Sequence, residues 1–227
     1  MSARFRMRPQ AFYKSVFHQL VHDFNPRSIL DVGCGSGRWV RELRAQDINA
    51  TGIDTSPYAH ATNPFVKTGR ASELPVEDQS FDLVCSEFSA HHFRDLAGHL
   101  REACRVATRG IAILDPWYDD TIPSQRSARA LDEWMKSIDR AAGESHHDCY
   151  SAQAFLAAMP DDVAFTPQFI HLLKPDPIPE EKLDEMIDHH RKKAQSDEAQ
   201  AALPAVLEQI DRDGISQDGA IIFIARF

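Results

Sequence analysis

Between residues 29 and 43 the chain reads Ile29-Leu30-Asp31-Val32-Gly33-Cys34-Gly35-Ser36-Gly37-Arg38-Trp39-Val40-Arg41-Glu42-Leu43. A short apolar run ends in an acidic residue, passes through alternating glycines, and gives way to a helical pattern with Trp39, Val40 and Leu43 on one face. That order predicts a strand, a tight turn and the start of a helix. Gly33, Gly35 and Gly37 allow positive φ and close approach to a ligand, while the free N–H groups of a new helix face negative charge. The turn is a cradle for a small polar cofactor. Its glycines run G-x-G-x-G, with Arg38 where the dinucleotide fingerprint has its last glycine, and a large side chain there fits a pyrophosphate clamp poorly.

Outward from the cradle, residues 49–53 read as a second strand closing on Asp54, placed to accept both hydroxyls of a ribose. Nicotinamide and S-adenosylmethionine (SAM) cofactors both carry that ribose, so Asp54 does not discriminate between them. Thr55, Ser56 and Pro57 read as a helix cap with proline in the first turn. Residues 66–68 form a short third strand, followed by Gly69-Arg70-Ala71-Ser72-Glu73-Leu74-Pro75 and then Ser80-Phe81-Asp82-Leu83-Val84.

The motif from Asp31 to Gly37 resembles the first motif of the class I SAM-dependent methyltransferases. The block from Gly69 to Val84 is similar to the adenine-binding loop and fourth strand of the group related to the ubiquinone and menaquinone biosynthetic methyltransferases. Residues 29–115 carry the resemblance most strongly. It implies an α/β fold, a doubly wound, seven-stranded, mostly parallel sheet with strand seven antiparallel, and SAM as cofactor with S-adenosylhomocysteine (SAH) as product. It carries cofactor contacts onto Asp31, Gly33, Cys34, Gly35, Gly37, Asp54, Thr55, Ala71, Ser72, Glu73 and Ser86. One departure stands out: Arg70 replaces the acid that in the family hydrogen-bonds the adenine amino group, leaving the Ala71 backbone and the Ser72 and Glu73 side chains as its substitutes.

The fourth strand, 81–85, runs into Ser86-Glu87-Phe88-Ser89-Ala90-His91-His92. Ligands of doubly wound sheets sit outside the carboxyl ends of the strands, so His91 and His92 are the candidate general bases, with a structural role as the alternative. Residues 95–106 form a helix, 108–110 a shortened turn and 111–114 strand five, with Asp115 at its exit. Trp117 and Tyr118 then stand where an aromatic or cationic substrate would stack. An amphipathic helix over residues 11–24 brings Tyr13, with Arg4, Arg6 and Arg8 ahead of it, near the ligand; its alternative is plain core packing. Residues 144–150, with His146, His147 and Cys149, do not have zinc spacing, and no metal is expected. A short helix over 151–159 precedes strand six at 163–169. Helices over 180–194 and 199–212, the second interrupted or restarted at Pro204, lead to strand seven. Together residues 116–150 and 175–216 form helical cap insertions on a single domain, and the cap sets substrate choice.

With 227 residues and a net charge of −9, the chain suits one domain and offers no broad basic surface for nucleic acid. Four scattered cysteines without a C-x-x-C pair, no apolar run of membrane-spanning length and no signal-like leader predict a cytoplasmic protein whose partner is a small-molecule substrate. The function expected is methyl transfer to an O, N or C nucleophile. A SAM-binding regulatory subunit without turnover is the alternative, and a nicotinamide-dependent oxidoreductase the remoter one.

Overall fold

The computed structural model describes residues 9–56, 63–194 and 197–227. At the centre of its sheet β1 (Ser28–Val32) runs parallel between β2 (Asn49–Asp54) and β4 (Phe81–Glu87). Outside β2 lies the short β3 (Val66–Thr68), and outside β4 lies β5 (Ala107–Trp117), both parallel. The other flank is antiparallel: β7 (Gly219–Arg226) inserts between β5 and the edge strand β6 (Thr166–Leu172), giving the order β3-β2-β1-β4-β5-β7-β6.

Alternate residues of the central strands feed two apolar layers, as the period of a strand requires. Ile29, Leu83, Cys85, Leu114 and Ile222 pack with Tyr13, Phe17 and Val21 of α1 (Pro9–Asp23) and with Trp39, Val40 and Leu43 of α2 (Arg38–Arg44). Leu30, Val32, Val84, Ile111, Ile113 and Phe223 pack with Leu100, Ala103 and Val106 of α3 (Leu96–Val106) and Phe155 of α5 (Ala152–Ala158). A third, separate core joins α4 (Pro123–Ala141), α6 (Glu180–Lys193) and α7 (Asp197–Asp213) through Leu131, Trp134, Ile138, Ile187, Leu203 and Ile210. The two sequence insertions thus form one helical unit.

Three local expectations need correction. Thr108 to Gly110 do not turn: α3 passes straight into β5 at Ala107. Tertiary partners extend the strand there, with Thr108 Oγ1 donating to the Phe81 carbonyl and Arg109 to the Phe24 carbonyl. Gly110 is needed because a Cβ would stand 2.4 Å from the Ala225 carbonyl oxygen of β7. Strand β6 begins at Thr166, not 163, because pairing with β7 from Thr166↔Arg226 to Leu172↔Ala220 sets its ends. Helix α7 runs unbroken through Pro204. The helix expected after Ser56, and Arg4, Arg6 and Arg8, lie outside the described residues.

Candidate active site

The cradle follows from the end of β1. Gly33, Gly35 and Gly37 all take positive φ, at 76°, 53° and 66°. At Gly33 a side chain would collide with Ser89, whose Cβ lies 2.5 Å from the position of an added Cβ, whereas at Gly35 nothing lies within 4 Å among the described residues. The first glycine serves close packing and the second leaves open space above the turn. Gly37 caps α2, and the buried Asn63 donates to its carbonyl at 3.0 Å. Asp54, at the end of β2, accepts from Gly35 N at 2.8 Å through Oδ2 and from Ser56 N at 2.8 Å through Oδ1. One lone pair on each oxygen is so occupied, and the carboxylate is fixed toward the turn with further acceptor capacity.

Beneath the cradle Asp31 is buried, and its Oδ1 has no hydrogen-bond partner among the described residues. Burial first, and the Glu87 carboxylate second, push its pKa well above the usual carboxylate range. Glu87 itself ends β4 and is gripped by Lys14 and His18 of α1. Burial works to raise Glu87, but the hydrogen bonds from His18 and Lys14 prevail and hold it below its ordinary value. Asp31, Gly33, Gly35, Trp39, Lys14 and Glu87 line a cavity of about 650 Å³. On the other side of Gly33, Asp54, Thr55, Ala71, Ser89, His92 and Phe93 line a second of about 290 Å³. Ser72 and Glu73 border the recess beyond, with Arg70.

Next to this cleft, past Phe88, lies a chamber of about 340 Å³ bordered by Lys14, His91, Tyr118, Lys136, His146 and Asp218. His91 is buried in the 3₁₀ turn Ala90–His92, and its Nδ1 lies 2.8 Å from Oδ1 of the fully buried Asp115, within the last residues of β5. His92 Nδ1 bonds the Ser145 carbonyl at 3.0 Å, and His146 Nδ1 bonds Asp139 Oδ2 at 2.7 Å. Lys136 is buried and paired with Asp132 at 2.7 Å.

Most of the residues expected from sequence do border the cleft: Asp31, Gly33, Cys34, Gly35, Asp54, Thr55, Ala71, Ser72, Glu73, His91, His92 and Tyr118. Four lie elsewhere. Gly37 caps α2 and is packed under Asn63, whose Nδ2 would stand 2.4 Å from an added Cβ. Ser86 is fully buried with its hydroxyl 3.3 Å from His99 Nε2, on the face of β4 turned away from Glu87. Tyr13 is fully buried, and its hydroxyl donates to the Asp218 carbonyl and accepts from Lys174 N. Trp117 packs on His171, with ring centroids 4.4 Å apart. Cys34 borders the cavity as an inert thiol, since burial and then Asp31 push its pKa up. Sequence reasoning missed Lys14, Glu87, Ser89, Asn63 and Phe88. Phe88 takes φ 50° at the lip of the chamber, a left-handed conformation unusual for an aromatic residue. No sequence pattern announces it.

A parallel sheet reversed only at β7, a glycine cradle after β1 and an acid at the end of β2 define a Rossmann-like methyltransferase fold. Residues 30–114 match the family model Methyltransf_11, described as a methyltransferase domain. Ajmaline N-methyltransferase of Rauvolfia serpentina is 35% identical over 123 residues, covering 48% of this chain and 42% of that protein. The demethylmenaquinone methyltransferase of Roseiflexus sp. is 35% identical over 94 residues, covering 37% and 40%. The matches therefore span less than half the length of these curated relatives. Among solved structures, a cyclopropane-fatty-acyl-phospholipid synthase-like protein from Lactobacillus casei superposes with a TM-score of 0.70 at 16% identity, covering 96% of this chain and 92% of the other.

Proposed function

We propose that the chain transfers the methyl group of SAM to an oxygen, nitrogen or carbon nucleophile of a small molecule. The observation that carries this reading is the buried, unpartnered Asp31 Oδ1 at the cavity beside the open face of Gly35. A buried carboxyl without a partner calls for a cationic ligand, and the ammonium of the cofactor's amino-acid end is one. Asp54 would take the ribose, and Ala71, Ser72 and Glu73 would border the adenine. When bound, SAM supplies a sulfonium-activated methyl, so the protein's work is orientation, exclusion of water and control of one acceptor proton. The chamber beside His91 and Tyr118 would hold the acceptor, with α4 and α6 as the cap that selects it. These helices line an adjoining cavity of about 530 Å³ through Leu131, Asp132, Met135, Lys182 and Met186.

Calorimetry with SAM and SAH on the wild type and Asp54→Ala tests the reading. We expect micromolar binding that falls by about tenfold or more in the variant, as loss of charge-assisted hydrogen bonds to the ribose requires. No binding in the wild type, with or without candidate acceptors, would sink it. Binding without turnover across a broad panel of nucleophiles would favour the regulatory subunit, for which Arg70 at the adenine recess is the supporting observation.

A further inference from the structure

Three imidazoles meet beside the chamber, and two of them, His91 and His146, border it. His91 and His92 come from the turn after β4, and His146 comes from the loop after α4, far along the chain. One ring nitrogen of each lies within 4.8 Å of those of the other two. The ring centroids are 4.2 Å (His91 to His92), 4.4 Å (His92 to His146) and 5.3 Å (His91 to His146) apart.

Each ring is also held through Nδ1: His91 by Asp115, His92 by the Ser145 carbonyl and His146 by Asp139. A carbonyl or a carboxylate accepts, so Nδ1 carries the proton and Nε2 keeps its lone pair in the neutral ring. An oxygen acceptor on one nitrogen and a bare lone pair on the other is the outer arrangement typical of metal-ligating histidine. The loop is fixed as well, since His147 N donates to the His91 carbonyl at 2.7 Å and Lys193 joins His146 on Asp139.

Asp115 gives an independent indication. It is fully buried, and its Oδ2 has no hydrogen-bond partner among the described residues. A fully buried carboxyl group with one oxygen unpartnered favours added positive charge nearby. Lys136 is close by, but it is engaged by Asp132 at 2.7 Å and Cys149 at 3.3 Å. A cation on the far side of His91 would offset the Asp115 charge through the ring.

We infer that His91, His92 and His146 bind one divalent first-row transition-metal ion, with at least one coordination position open to the chamber. Three imidazoles suit zinc, cobalt, nickel or copper, whereas magnesium and calcium require oxygen ligands that this set lacks. Ligation at about 2.1 Å brings tetrahedral nitrogens to within about 3.4 Å of one another, so the rings draw together by roughly an ångström on binding. His92, the exposed member of the turn, has room to make that adjustment. The histidines are then ligands instead of bases. The ion would hold an acceptor oxygen or nitrogen and lower its proton affinity, releasing the proton to solvent. That last role rests on the proposed methyl transfer; the site itself does not.

The test uses the full, tag-free chain, stripped with a chelator and free of cofactor and substrate, titrated with Zn²⁺ and with Co²⁺ as a spectroscopic probe. One equivalent of Zn²⁺ should bind, Co²⁺ should develop visible ligand-field absorption, and His146→Ala should weaken both by about tenfold or more. His189→Ala, at an exposed position of α6, should bind like the wild type. If circular dichroism shows His146→Ala misfolded, His92→Ala reads the same loss. Binding far below one equivalent, or affinity unchanged in the folded ligand variant, would overturn the site. Failure of the methyl-transfer reading would appear as absent SAM binding and leave this titration intact.

Discussion

At the scale of single residues, Gly33 and Gly35 look alike in sequence and differ in structure. Both sit at positive φ, which is strained for any side chain, but only Gly33 abuts Ser89. Gly35→Ala should lose about 1–2 kcal/mol of stability from backbone strain, and Gly33→Ala roughly 2–4 kcal/mol once the clash is added. Urea unfolding of the two variants checks the order, and equal losses would contradict the packing described. SAH affinity should nonetheless fall in Gly35→Ala, whose methyl enters the open space above the turn. This cradle was legible in the sequence because its chemistry lies in consecutive residues. Ser86 was misplaced by a single step of strand parity: the period of two sends Glu87 to the cleft and Ser86 to His99 on the other face. The Asp115, His91 and His146 arrangement was not legible at all, since its members come from three segments that only the fold brings together.

Among the elements, α1 shows how an amphipathic pattern locates a helix without giving the work of each side chain. Its buried stripe of Tyr13, Phe17 and Val21 was readable from spacing, yet Tyr13 serves as a pin and not as a ligand contact. Its hydroxyl ties the helix to Asp218, just before β7, and to Lys174, just after β6. Burial pushes its pKa up to about 12, so the phenol stays protonated and able to donate. Tyr13→Phe keeps the packing and removes both bonds. It should destabilise the protein by about 1–3 kcal/mol in urea unfolding, and a change below about 0.5 kcal/mol would mean that the pin is dispensable. The edge strand β6 was placed three residues early because its side chains are largely exposed, so hydrophobic alternation marks it weakly. The Thr108 to Gly110 segment was read as a turn because its extension depends on β4 and β7, which local sequence does not contain.

For the whole molecule, the acid limb of stability is set in part by His99, fully buried on α3. Burial lowers its pKa from 6.5 to about 4. The unfolded chain therefore binds a proton below pH 6.5 that the folded chain refuses until about pH 4, and stability falls as pH drops through that window. The full effect is on the order of 3 kcal/mol. Urea midpoints measured between pH 7 and pH 4 should show this decline, and His99→Gln should remove about one proton's worth of the slope. An unchanged slope would place the acid sensitivity elsewhere.

The reversed strand has a consequence for the order of events during synthesis. Among the described residues strand β6 finds its sheet partner only in β7, and between them the chain must first make α6 and α7. On the ribosome the parallel half of the sheet can assemble as it emerges, while β5 keeps an open edge and β6 has no partner to join. Closure waits for residues 219–226, making this the step of highest contact order and the longest exposure of an unpaired apolar edge. A nascent or truncated chain that stops short of β7 would carry the entire glycine cradle and still be an aggregation hazard.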